Sequence, residues 1–315
     1  MSRLVQLSGV CADLVYRVRA VPAPGTDAVV AGPARMMPGG GYNAMQAARR
    51  AGMEVAFAGT LGTGPIADTC AHGLAAAGIA ALRPRLAGLD QGVCTVLIDA
   101  TGERTFIASE GADGQVSPAD LDGLALRPDD WLLLSGYALC YAGSSPALTR
   151  WLAAHPQGLR LTFDPTPQVA LIPEATHHAV LQSALWVSAN AAEAAVLTGL
   201  DDPAAAARAL ADRRPPKGGA VVRDGAKGCH LALPGAGVLH IPPHPVAPVD
   251  TNGAGDTHVG WFIAMLARGE APARAARLAN IAAALSTTQE GPATAPDLTT
   301  VLAADRDGTP HGGTP

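Results

Sequence analysis

The sequence predicts an α/β fold in which a mostly parallel central sheet is flanked by helices, with a small β layer beside it. Three observations carry this. Apolar strand-like runs alternate with helix-patterned segments along most of the chain, as in sheets whose parallel strands are joined by crossover helices. One stretch, residues 92–109, breaks that rhythm with two β-rich runs around a tight turn. The 315 residues are 48% hydrophobic and 16% charged, enough to bury a sizeable core.

The elements follow in order. "RLVQLSGV" is a short strand ending in Gly9, and residues 20–38, rich in Pro and Gly, are expected as loop or edge strands. "YNAMQAARRAG" has helical spacing and a stop at Gly52; "EVAFAGTLG" is a strand and "PIADTCAHGLAAAG" a helix. "GVCTVLIDATGERTFIAS" is a hairpin turning on "DATGE", with which part of region 11–38 is placed to pair. Strand and helix then alternate: "WLLLSG", "SSPALTRWLAAH", "RLTFDP", "ALWVSAN", "AAEAAVLTG". Two more strands, "GAVVRDG" and "GCHLAL", precede the helices "DTHVGWFIAMLARG" and "PARAARLANIAAALSTTQEG". A frayed tail is expected at the end.

Several function classes are excluded. The net charge of -5 and scattered arginines leave no nucleic-acid footprint and no polybasic membrane patch. The only lysines, Lys217 and Lys227, do not follow a glycine-rich loop, so there is no Walker-type phosphate loop. Five widely spaced cysteines without a CxxC pair point to a reduced interior and away from structural zinc. No apolar run of 18 residues and no signal-like segment before Asp13 occur, so a cytoplasmic protein is expected. Gly62-Thr63-Gly64 is too incomplete for a dinucleotide fingerprint, and Ser135-Gly136 lacks the context of a nucleophile elbow.

The chemistry concentrates at "VDTNGAGDTHVGWF", residues 249–262. Gly253-Ala254-Gly255 falls at the start of a helix, where unpaired N–H groups and the helix dipole favour an anion and small residues let it approach. A carboxylate beside that pocket, Asp256, suits phosphoryl transfer, with the amides holding phosphate and the Asp accepting a proton. The same residues also fit ordinary helix capping. A second glycine-rich loop enters a helix at "PGGGYNAMQAARRAG", with Asn43 offering an amide. A third element, Asn190 to Glu193, has capping-box spacing. Asp164 stands at the end of "RLTFD", where open α/β sheets bind ligands, although an Asp-Pro turn explains it equally. Arg104, in the hairpin, could reach over an anionic substrate or a transferred phosphate, although a solvated hairpin residue explains it better.

These elements, in this order, resemble the ribokinase-like family of sugar and nucleoside kinases, the PfkB carbohydrate kinases. "DTNGAGDTHVGWF" resembles the C-terminal signature of that family, "GGGYNAMQAARRAG" its N-terminal signature, and "VVRDGAKG" its nucleotide-contacting turn; "GERTFI" resembles a strand of its lid. The resemblance implies an ATP-dependent phosphotransferase acting on a hydroxyl of a sugar or sugar-like substrate, with a nucleoside kinase or a non-catalytic sugar- or nucleoside-binding regulator as alternatives. It implies Asp256 as base, with Gly253, Ala254 and Gly255 as the anion hole. Asp13, Gly39, Gly40, Gly41 and Asn43 are then substrate contacts, and Asn190, Glu193, Arg223, Gly225 and Asn280 line the nucleotide. ATP and Mg²⁺ are the implied cofactors, Mg²⁺ held by Glu193 through water, and Asp250 is the implied ligand of a monovalent cation in potassium-activated members. A kinase core over 1–10, 39–91 and 110–303, a β lid over 11–38 and 92–109, and a flexible tail over 304–315 are expected. A homodimer through the lid would cover its exposed edge. The chain departs from the family pattern at Pro38, at Gly64, at Gly136-Tyr137, which offers ribose no acidic contact, and at His258, where Phe is more common.

Overall fold

The computed structural model describes residues 2–30, 32–156 and 158–307, and the strands among them fall into two sheets. In chain order they are β1 (Arg3–Gln6), β2 (Val10–Arg17), β3 (Arg35–Gly40), β4 (Glu54–Phe57), β5 (Ala80–Ala81), β6 (Val93–Ile98) and β7 (Arg104–Ser109). After these come β8 (Trp131–Ser135), β9 (Arg160–Asp164), β10 (Trp186–Asn190), β11 (Gly219–Arg223), β12 (Cys229–Ala232) and β13 (Val238–Ile241). The helices are α1 (Gly41–Arg50), α2 (Pro65–Ala76), α3 (Pro118–Asp122), α4 (Gly136–Cys140), α5 (Ser145–Ala154) and α6 (Glu174–Ser183). They continue with α7 (Ala191–Thr198), α8 (Pro203–Ala211), α9 (Ala254–Ala267), α10 (Pro272–Ser286) and α11 (Leu298–Asp307).

The large sheet has nine strands in the order β13-β12-β11-β10-β9-β8-β1-β4-β5. It is parallel from β11 to β5, and only β12 and β13 join antiparallel. Side chains alternate through it with period two, and each face has its own core. Trp131 and Leu133 pack with α1, α2, α9, α10 and α11, whereas Leu132 and Leu134 pack with α3 to α8. Strand order reverses between β1 and β8, and ligands of such sheets bind at the carboxyl ends beside that reversal.

The small sheet, order β3-β2-β6-β7, is the lid. Its β6–β7 hairpin turns where "DATGE" predicts: the Asp99 carboxylate accepts from Thr101 N–H at 2.8 Å and Glu103 N–H at 3.1 Å, and Gly102 has φ 87°. The pairing anticipated for region 11–38 is made by β2, parallel to β6, and by β3, antiparallel to β2.

Some elements escape pattern reading. The first strand stops at Gln6, and β2 begins at Val10 in the other sheet. Because β3 runs through Gly40, Gly39 and Gly40 lie in the small sheet. α6 was not anticipated because "EATHHAVLQS" has no apolar stripe, and it buries only Thr176, Ala179, Val180 and Ser183. α8, capped by Asp202 and rich in alanine, and β13, a short edge strand, give equally weak signals. Within the tail expected over 304–315, α11 continues through Asp307, and residues 308–315 lie outside the described residues.

Candidate active site

Helix α9 starts from Gly253, which has φ 73°; a Cβ there would also lie 2.1 Å from the Pro292 carbonyl oxygen. Only glycine satisfies both constraints. Among the described residues, neither the Gly255 nor the Asp256 N–H has a backbone acceptor, and the Ala254 N–H makes only a long contact, 3.4 Å, to Thr251. The turn therefore presents donors at the positive end of a 14-residue helix. Asp256 sits in that first turn, partly buried.

A second helix supplies its partner. Asn43, 6% exposed in the first turn of α1, donates from Nδ2 to Asp256 Oδ2 at 3.1 Å. The two helices meet closely because Gly260 lies against the Ala44 carbonyl; a Cβ would approach that oxygen to 2.3 Å. Gly260 supports this geometry without belonging to the candidate site residues, and a glycine inside an apolar helix is itself a signal of close backbone approach.

Burial, followed by the neighbouring Asp164 carboxylate, pushes Asp256 up to about 7, against the opposing pull of Asn43 and Arg223. Asp13, on β2, is raised to about 6 by burial, with the Cys11 thiol opposing, and its charge in turn lifts Asp256. The Asp13 carboxyl lies directly over Gly39, where a Cβ would come within 2.2 Å of its Cγ. Gly39 thus makes room for Asp13 from the neighbouring strand. Gly40 pairs with Val10, and the Gly41 N–H donates to the Gly9 carbonyl at 3.1 Å, which fixes the entry into α1.

A cavity of about 740 Å³ opens over the carboxyl ends of β9, β10 and β11 and the start of α9. It brings together Asn190, Glu193, Arg223, Gly225, Gly253, Ala254, Gly255, Asp256 and Asn280. Asp13, Gly39, Gly40, Gly41, Asn43 and Asp250 do not line it. Asn43 reaches the cavity through its bond to Asp256, and Asp13 through its charge.

Asn190 and Glu193 form a complete capping box. Asn190 Oδ1 accepts from the Glu193 N–H, and the Glu193 carboxylate accepts from both the Asn190 N–H and its amide, all at 2.8 Å. Capping and cavity lining coexist in the same residues. Arg223, expected along a nucleotide, lines the cavity and lies beneath the Gly253–Gly255 turn. It donates to the Gly255 carbonyl at 2.8 Å and to Asp164 Oδ1 at 3.1 Å, and lies 3.5 Å from Glu193. Asn280 donates to the Ile241 and Pro242 carbonyls at 3.2 and 3.0 Å, bracing the far wall.

Asp164 is more than a turn residue, since it anchors Arg223 and raises Asp256. Thr166, two residues on, is the only non-glycine described residue with positive φ, 66°, and lines the cavity. Such strain is characteristic of functional loops. Three carboxylates, Asp164, Glu193 and Asp256, face one buried guanidinium there. Burial raises both Asp164 and Glu193, although Arg223 opposes it in each case. This excess of acid suits a cation such as Mg²⁺. No three acidic, histidine or cysteine side chains among the described residues are placed to hold a metal ion together, so such an ion would take most of its coordination from phosphates and water.

Arg104 is not a solvated hairpin residue. It crosses from β7 to the core and pairs with Asp250 Oδ1. His258 is 3% exposed, stacked on Phe262 at 6.3 Å between ring centroids, and its polar neighbour is the Asn280 side chain. Burial, and secondarily Arg223, depress it to about 3, so the ring is neutral.

This large sheet and its lid have the ribokinase-like fold. The chain belongs to the pfkB family of carbohydrate kinases, whose model matches residues 2–299. It is 29% identical over 298 residues to an uncharacterized sugar kinase of Escherichia coli strain K12, covering 94% of this chain and 91% of that one. It is 30% identical over 274 residues to a fructokinase of Klebsiella pneumoniae, covering 82% and 88% of the two chains. Among solved structures, ribokinase from Thermotoga maritima superposes with a TM-score of 0.81 at 23% identity, covering 97% of this chain and all of that one.

Proposed function

We propose that this protein transfers the γ-phosphoryl group of ATP to a hydroxyl of a sugar or sugar-like substrate. The observation that carries the reading is Asp256: a partly buried carboxylate raised to about 7, held by Asn43, in the same turn as the unpaired Gly255 and Asp256 amides. A base titrating near neutrality is matched to deprotonating an alcohol as it attacks phosphorus. Gly253, Ala254 and Gly255 would receive the charge that develops on the transferring group. Asp13, backed by Gly39 and Gly40, would accept hydrogen bonds from substrate hydroxyls, with Gly41 and Asn43 completing that side.

In this reading Asn190, Gly225 and Asn280 shape the nucleotide half of the cavity, and Arg223 holds the Gly255 carbonyl so that the amides stay aimed. When bound beside Glu193, Mg²⁺ would neutralise phosphate charge. An Arabidopsis thaliana ribokinase has been solved with ribose and ATP, and an Escherichia coli relative with ATP and Mg²⁺; the fold they share with this chain supports the same cofactors here. No described helix is long and apolar enough to cross a membrane, which fits a cytoplasmic enzyme. The outer strand β7 exposes Phe106 and Ile107, at 55% and 60%, so a homodimer through the lid belongs to the same reading.

The test is a coupled ATP-consumption screen over sugars, sugar acids and nucleosides. Phosphorylation of a sugar at a rate abolished by Asp256→Asn is expected. Turnover restricted to nucleosides would move the substrate class, and binding without product across the panel would make the protein a sensor.

A further inference from the structure

The resemblance leads to a potassium ion at Asp250, and the structure puts something else there. Both carboxylate oxygens are engaged. Oδ1 accepts from the Asn252 N–H at 2.8 Å and from the Arg104 guanidinium; Oδ2 accepts from the Gly291 N–H at 3.0 Å. The Arg104 and Asp250 side chains are only 18% and 8% exposed. An added monovalent cation would face a guanidinium already neutralising that carboxylate, so it would have to displace Arg104 or bear like-charge repulsion.

The surroundings show what this pair controls. The Val249 and Asp250 N–H groups both donate to the Thr287 carbonyl, at 2.7 and 2.9 Å. Segment 287–292 thus holds Asp250 from both sides, and its Pro292 carbonyl lies against Gly253, the first residue of the anion hole. Arg104 begins β7, so the charge completing this arrangement comes from the lid. A second lid contact, Arg17 to Glu290 at 3.0 Å, is half exposed at both ends and contributes far less.

We infer that Arg104 is a built-in replacement for the monovalent cation: the lid itself delivers the positive charge that sets the 250–255 turn, and potassium is not required. This rests on the phosphotransferase reading above. Arg104 is a positioning residue in this account, since it acts on the anion hole through Asp250.

Two measurements test it. Thermal unfolding of the full chain is compared in potassium, sodium and choline chloride at matched ionic strength. Wild type should melt alike in all three, whereas Arg104→Ala should melt lower in choline and recover selectively in potassium; Arg104→Lys, keeping a cation, should follow wild type. With an acceptor from the screen, wild-type kcat should be equal in potassium and choline. Arg104→Ala should lose about tenfold to a hundredfold in kcat in choline, with a smaller change in KM for ATP, and potassium should restore it. Arg17→Ala should keep the wild-type kcat and salt independence. Potassium-selective stabilisation or activation of wild type overturns the inference. So does wild-type kcat in Arg104→Ala, or a loss that potassium does not restore. A screen without product would remove the phosphotransferase reading and leave the unfolding comparison to decide the role of Arg104.

Discussion

In the proposed mechanism Asp256 can act as a base only while it is ionised, and its surroundings resist that. Burial and Asp164 lift it to about 7, so kcat/KM should climb with pH and level off above about 7, which a pH–rate profile measures. The same shift has a stability consequence. Between the ordinary value of 3.8 and about 7, the native carboxyl holds a proton that the unfolded chain has released, so this group's contribution to stability falls as pH rises through that window. Asp256→Asn should lower kcat by about 10²–10⁴-fold with little change in substrate affinity. It should also flatten the stability–pH curve between those values; a curve of unchanged slope would mean that Asp256 does not titrate there. His258 makes the opposite kind of test. The buried ring nitrogens have at best a weak partner in Asn280, and a buried polar group left unsatisfied costs about 1–3 kcal/mol. His258→Phe should therefore raise the melting temperature, and a simultaneous loss of kcat would show that a ring nitrogen serves a bound ligand.

At the level of elements, the site is a meeting of two helix starts. Asn43 reaches Asp256 because α1 and α9 cross closely at Gly260. Gly260→Val would force the helices apart at a cost of about 1–3 kcal/mol. It should weaken the Asn43 bond and move the pH–rate midpoint upward, since that bond favours the ionised Asp256. An unmoved midpoint in a folded variant would show that Asn43 does not tune the base. The "GAGD" turn, the glycine-rich loop and the Asn190–Glu193 box are legible in the sequence because each is local: helix starts carry their requirements within four residues. Arg104 and Arg223 are not legible in that way. Their partners lie 146 and 59 residues away, at Asp250 and Asp164, and no local pattern distinguishes a solvated arginine from a buried one.

For the whole molecule, the two sheets differ in how firmly they are held. The large sheet is packed on both faces, whereas residues 105–109 of β7 are exposed throughout. The lid should exchange its amide hydrogens faster than β8 to β11, and exchange over 93–109 should slow when ATP and acceptor are both present. Hydrogen exchange with mass detection measures this. Equal rates in the free and loaded protein would mean that the lid does not close on substrate.

Alternation of strands and helices, the hairpin at 92–109, two glycine-marked helix starts and the Asn190–Glu193 box determine the fold class, the family and the candidate base from sequence alone. They do so because apolar periodicity and backbone geometry act over a few residues. Tertiary structure alone decides that Asn43 holds Asp256, that Arg223 lies beneath the Gly253–Gly255 turn, and that Arg104 reaches Asp250. Those depend on which charges meet across elements far apart in the chain, and on how much water is excluded when they meet.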